Sequence, residues 1–198
     1  MKRLYVLFLA SITLSVACNN KPKQTATFPT DDGKGQVTVD MSQMQKAAED
    51  MEKQKTDLET LTPLTLDQLK ALLPEKLMGV PRKSYEASAT MGAGLASGKY
   101  EINDSMDVKL NIWDCAGPGG AGIYGLQYLG MMNIQQESDD EYTKTIDFNG
   151  GKAHEHCNKT NNDCTLTYFT GGRFLVTLEG DHVSADALKE AAKGLNIK

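Results

Sequence analysis

The sequence lacks any excess of basic charge: 21 Lys and Arg stand against 26 Asp and Glu among 198 residues, a formal charge of -5. A nucleic-acid binder needs a concentrated basic face, and no such block occurs. Aromatic residues are few, with one tryptophan, five phenylalanines and seven tyrosines. Four cysteines are too few for a disulfide-dense scaffold. No apolar run approaches the roughly 20 residues that cross a bilayer as a helix. The length excludes a large multidomain enzyme, and neither a collagen nor a solenoid pattern is present. Several catalytic signatures are missing as well: no Gly-x-Ser-x-Gly elbow, no HExxH helix and no phosphate-loop Gly-Lys-Ser/Thr.

What is present begins at the N-terminus. Lys2 and Arg3 precede an uncharged run from Leu4 to Leu14, which ends in Ser15-Val16-Ala17-Cys18. Small residues before a cleavage point after a short apolar core make a secretory signal. With cysteine directly after Ser-Val-Ala, the segment resembles a bacterial lipoprotein signal peptide, although Ser15 stands where leucine is commonest. The resemblance covers residues 1–18 only. It implies cleavage before Cys18, acylation of that cysteine and anchoring to an envelope membrane, because each buried methylene adds about 0.8 kcal/mol. Asn19, in place of aspartate, points to the outer membrane, with the folded part facing the periplasm. An ordinary cleaved secretory peptide, with Cys18 a free or bridged thiol, is the alternative. Loss of residues 1–17 removes Lys2 and Arg3 and moves the charge from -5 to -7.

Residues 18–40, polar and broken by Pro22, Pro29, Gly33 and Gly35, read as a flexible tether. Residues 41–60 are good helix formers with Met44, Ala47, Met51 and Leu58 near heptad spacing, which predicts an amphipathic helix. About two and a half heptads suit a helix lying on its own domain better than an intersubunit stalk.

Residues 64–198 read as a globular α+β domain. Thr65-Leu66-Asp67-Gln68 is a capping box for a short helix that Pro74 stops. Met106, Val108, Leu110 and Ile112 alternate with polar residues as in a half-buried strand. Further strands are expected over 142–148, 152–157, 164–170 and 173–179, joined by tight connections. Ser184 caps a last helix, with Val183 and Leu188 as its hydrophobic staple and Gly194 as its end. The resulting expectation is one antiparallel sheet of about six strands flanked by helices, preceded by the tether and the N-terminal helix.

Four sets of candidate residues follow. The Gly-rich segment 116–132 lacks the partners of a nucleotide loop; Gly122, Gly125 and Gly130 would let a helix approach the sheet, and Tyr124, Tyr128, Met131 and Met132, with Trp113, could wall an adaptable apolar pocket. His154 and His156 project from one face of a strand and could hold two corners of a zinc or copper site, with His182, Asp114 or Asp181 as a third ligand. Asp139-Asp140-Glu141 is an acidic run that reads as a solvated loop, with a weak calcium contact as the sharper option. Cys157 and Cys164 face each other across a six-residue connection and predict a hairpin disulfide, which leaves Cys115 as a buried thiol. The expected function is a non-catalytic, membrane-anchored envelope lipoprotein that binds a partner protein or a small apolar ligand, or serves a structural role. Its partners are the membrane and an envelope protein, without nucleic acid and without a cofactor. A periplasmic metal-binding protein using His154 and His156 is the alternative.

Overall fold

The structure is a computed structural model that describes residues 25–29, 36–90, 92–130 and 134–197. Cys18 and the segment that carries the lipoprotein signal lie outside them, as do Met131 and Met132. The chain divides into two compact units, residues 1–49 and 50–198.

In the first unit, strands β1 (Thr25–Pro29) and β2 (Gln36–Asp40) pair antiparallel, with Phe28 opposite Val37 and Ala26 opposite Val39. These ten residues, expected as tether, form a ribbon of alternating small, polar and β-branched residues. Helix α1 (Met41–Thr60) begins directly after β2 and carries the chain into the second unit.

The second unit is built on one antiparallel sheet of nine strands, not about six. Its strands are β3 (Lys76–Leu77), β4 (Val80–Thr90), β5 (Ala93–Asn103), β6 (Met106–Asp114), β7 (Gln135–Glu137), β8 (Glu141–Phe148), β9 (Gly151–Asn158), β10 (Cys164–Thr170) and β11 (Phe174–Asp181). Their spatial order is β3-β4-β5-β6-β11-β10-β9-β8-β7. Two meanders, each sequential in the chain, are therefore joined edge to edge where β6 meets β11.

The strands that escape a reading by periodicity are β4 and most of β5. Ser84-Tyr85-Glu86-Ala87-Ser88-Ala89 and Ala93-Gly94-Leu95-Ala96-Ser97-Gly98 offer few bulky residues to mark a buried face. The reason is packing. Helix α2 (Leu66–Ala71) lies over these strands, and a Cβ added at Gly94 would stand 3.0 Å from both methyls of Leu69. Close helix approach selects small residues here at the expense of the alternation that reveals a strand.

One sheet face carries the main core. Leu69, Leu73 and Leu77 from α2 and β3 pack with Tyr100, Leu110, Ile112, Leu166, Val176 and Leu178. Helix α4 (Ala185–Lys193) adds Leu188 and Ala192 to the same core. Thr65 and Gln68 form the reciprocal capping box of α2, and Ser184 caps α4 by accepting from the Ala187 amide. The opposite face has a smaller core at one end, where Leu58 and Met51 of α1 meet Cys115, Ala121, Tyr124, Leu175 and Phe169. The second half of α1 thus groups with the larger compact unit, residues 50–198.

Helix α3 (Gly117–Gly130) reaches this small core through Gly120, where an added Cβ would fall 2.5 Å from the Cys115 carbonyl carbon. Gly122 meets nothing within 4 Å and Gly125 only a lysine methylene at 4.0 Å, so these two do not provide the close approach expected of them.

Candidate functional site

Away from the small core, the second sheet face is polar. Register places Glu86, Ser97, Asn111, Thr177, Thr167, His154 and Thr145 in one row across seven strands. The next row holds Lys99, Lys109, Glu179, Thr165, His156 and Thr143. Because side chains alternate along each strand, one inward apolar set fixes all of these residues on the opposite side.

The rows are cross-linked. Ser97 Oγ donates to Asn111 Oδ1 at 2.8 Å, and Asn111 Nδ2 donates to Glu179 Oε1 at 2.9 Å. The hydroxyls of Thr167 and Thr177 lie 3.1 Å apart, and that of Thr143 lies 2.8 Å from His156 Nδ1. At the end of the face, Asp107, Lys109, His156, Asp163, Glu179 and Asp181 border an open depression of about 450 Å³. Lys99 pairs with Asp107 at 2.9 Å, and that hydrogen bond raises its pKa.

His154 and His156 do share this face, but in unlike settings. Burial, with His156 nearby, holds His154 below the ordinary histidine range, and its buried Nε2 has no hydrogen-bond partner among the described residues. His156 is tied to Thr143. None of the three residues considered as a further ligand joins the two histidines in a metal-sized group. Asp114 is engaged elsewhere by Arg173, while Asp181 and His182 group with Asp163, their ligand atoms within 4.8 Å of one another. That group is satisfied internally: His182 Nδ1 lies 2.7 Å from Asp181 Oδ1, and the His182 amide donates to Asp163 Oδ1 at 2.9 Å.

Two of the residues named for an apolar pocket, Tyr124 and Trp113, have described side chains. Tyr124 is buried against Phe169, ring centroids 4.7 Å apart, and Trp113 packs on the same small core. Tyr124 belongs to that core, and Trp113 is partly buried against it. Tyr128 lies on α3, one turn beyond Tyr124.

Cysteine placement follows the register. Cys157 and Cys164 are directly opposite on β9 and β10, at disulfide distance with Cα atoms 4.1 Å apart. Cys115 is buried beside the small core, and burial pushes its thiol up to about 12. A thiol so protonated is a poor nucleophile at neutral pH.

Two buried carboxylates were not recognisable as partners in the sequence. Asp114 is fully buried and is held by Arg173 and by the amides of Leu64 and Ala116. Burial raises its pKa, but the Arg173 hydrogen bond and the two amides outweigh that and hold the carboxyl below its ordinary range. Glu155, also buried, projects into the main core side between Tyr142, Lys144 and Lys189. Tyr142 donates at 2.7 Å, while Lys144 and Lys189 stand 3.0 and 3.1 Å from its two oxygens. Here too burial is outweighed by hydrogen bonds, so Glu155 stays ionised. The available signal was a glutamate at an inward position between Ala153 and Cys157.

Comparison with protein-family models, with curated proteins and with solved structures found no match. No helix among the described residues is long and apolar enough to cross a membrane.

Proposed function

We propose that this chain is a lipid-anchored envelope lipoprotein of non-catalytic type, whose sheet domain binds a partner macromolecule or serves a structural role outside the cytoplasm. One observation carries the reading: Cys18 directly follows Ser15-Val16-Ala17 at the end of a basic-then-apolar leader. Asn19 and the enterobacterial sorting rule favour the outer membrane, facing the periplasm. The non-catalytic part of the proposal is supported by what the reactive groups do. Cys115 is a protonated core thiol, and Asp114 and Glu155 are consumed by ion pairs. A small apolar ligand is the narrower option, because Tyr124 packs in the small core and Trp113 is partly buried against it.

Mass spectrometry of the protein extracted from membranes tests the anchor. The expected product begins at residue 18 and carries three acyl chains, and Cys18→Ala abolishes both the added mass and the membrane association. A mature chain with an unmodified Cys18 thiol overturns the proposal. Metal ligation by His154 and His156 is the competing reading, favoured by the unpaired Nε2 of His154. Stoichiometric zinc or copper that disappears in the His154→Ala/His156→Ala double variant would establish it.

A further inference from the structure

The two outer edges of the nine-stranded sheet are finished differently. At one end, β7 is three residues long, and its Glu137 is tied to Lys159 at 2.7 Å. At the other, β3 covers only Val80 and Pro81 of the eleven-residue β4. The Arg82 amide is bonded to the Glu75 carbonyl, after which the outward side of β4 has no strand partner among the described residues. Among the described residues, Ser84 to Thr90 therefore present outward a run of backbone donors and acceptors with no strand partner, the arrangement that recruits another strand. Within β4, proline, which would blunt such an edge, occurs only at position 81, and the register irregularity between Arg82 and Ser84 precedes the run.

The side chains along this edge are also unusual. Among the five large hydrophobic residues exposed in the described part of the chain, Tyr85 is 50% and Leu66 52% exposed. Tyr85 lies on β4 on the helix-covered face, opposite Gly98. Lys70 of α2 stands over its ring at 4.6 Å, and Leu66 is one helical turn before Lys70 on the same helix face. An exposed aromatic ring thus borders the open edge.

We propose that β4 pairs antiparallel with β4 of a second copy of this chain, which extends the sheet across a two-fold axis through Ala87. The choice of a second copy rests on register. A two-fold axis perpendicular to the sheet keeps each residue on its own face, so only pairs of equal parity can stand opposite. With Ala87 on the axis, Ser84 faces Thr90, Tyr85 faces Ala89 and Glu86 faces Ser88 of the partner copy. This register uses the whole unpaired run and sets no like charges opposite one another. Shifting the axis to Glu86 would oppose two carboxylates, which is unfavourable. Each Tyr85 lies over a small residue of the partner, which covers both exposed rings. This inference does not depend on the lipid anchor.

Charge substitutions at Ser88 test it, because that residue faces Glu86 of the other copy on the open polar face. Sedimentation of the full chain in mild detergent is expected to show a concentration-dependent dimer. Ser88→Glu sets Glu against Glu twice by symmetry and should weaken the dimer roughly 2- to 30-fold. Ser88→Lys at the same site should bind at least as tightly as the natural chain, and Glu86→Lys combined with Ser88→Glu should restore what Ser88→Glu loses. Circular dichroism confirms that each variant is folded, and Ser88→Lys controls for any bulk effect at that position. A natural chain that remains monomeric up to on the order of 1 mM overturns the proposal. So does a dimer whose affinity is unchanged by Ser88→Glu.

Discussion

Arg173 grips Asp114 with two parallel hydrogen bonds, Nε to Oδ1 at 2.7 Å and Nη2 to Oδ2 at 2.9 Å. The same guanidinium donates to the Thr62 carbonyl, and the same carboxylate accepts the Leu64 amide at 2.7 Å. One ion pair therefore ties the linker between α1 and α2 to the end of β6 and to the turn before β11.

Removing one partner should leave a buried charge without compensation. Asp114→Ala and Arg173→Ala are each expected to lower unfolding free energy by about 3 to 5 kcal/mol, measured by urea denaturation. Asp114→Asn, which keeps two acceptor directions at one oxygen, should cost less. A loss below about 1 kcal/mol for Asp114→Ala would contradict the assignment.

Both buried carboxylates have lowered folded pKa values, so their unfolded forms bind protons first as the pH falls. Their stabilisation is full above the unfolded carboxyl range near pH 4 and disappears as pH drops through the lower folded values. Stability measured between about pH 5 and 2 should fall steeply in the natural chain. It should fall less steeply in Glu155→Gln. Tyr142→Phe, which removes one donor to a charged acceptor, should cost about 1.5 to 3 kcal/mol at pH 7.

His154 acts in the same direction but in a higher pH window. Its folded pKa is lowered, so the folded state disfavours the imidazolium and loses stability as pH falls below the unfolded value near 6.5. NMR titration should find His154 below the ordinary histidine range. His154→Leu is expected to flatten the pH dependence between about 7 and 5 and to be neutral or stabilising, since it removes an unpaired buried nitrogen. A variant that is destabilised by more than about 2 kcal/mol would show that the ring has a partner.

The thiols should separate cleanly by reactivity. Cys115 is expected to resist alkylation at pH 7 until the protein unfolds, because its thiolate fraction is negligible. Replacing both Cys157 and Cys164 with alanine opens a short loop and should cost roughly 2 kcal/mol in oxidising buffer, with no difference under reduction. Fast native labelling of Cys115 would return it to consideration as a nucleophile.

Legibility in the sequence varied with the physical signal each element emits. The capping residues Thr65 and Ser184, the opposition of Cys157 to Cys164 and the common face of His154 and His156 depend on local spacing, and each could be read from it. Strand β4 could not, because Ala87, Ser88 and Ala89 neither alternate nor favour a strand by propensity; their place is set by α2 and β5. Tyr124 could be read as a pocket wall, although a helix stripe of tyrosine and methionine is more often core, and its packing with Leu58 and Phe169 comes from elements distant in sequence. The pairs Asp114–Arg173 and Glu155–Lys189 join residues from distant elements, so no short window of sequence contains both charges.

The meeting of β6 with β11 sets how the chain must assemble. Every other ladder of the large sheet joins strands that follow one another in the chain, whereas this one brings Asp114 opposite Phe174 and Asp107 opposite Asp181. Closing so long a loop delays that ladder relative to the hairpins on either side. The two meanders can form separately, and their joining is the slow, entropy-limited event. Weakening substitutions at Ile112 or Val176, which face each other across the seam, should slow folding more than equal losses of stability at the outer strands.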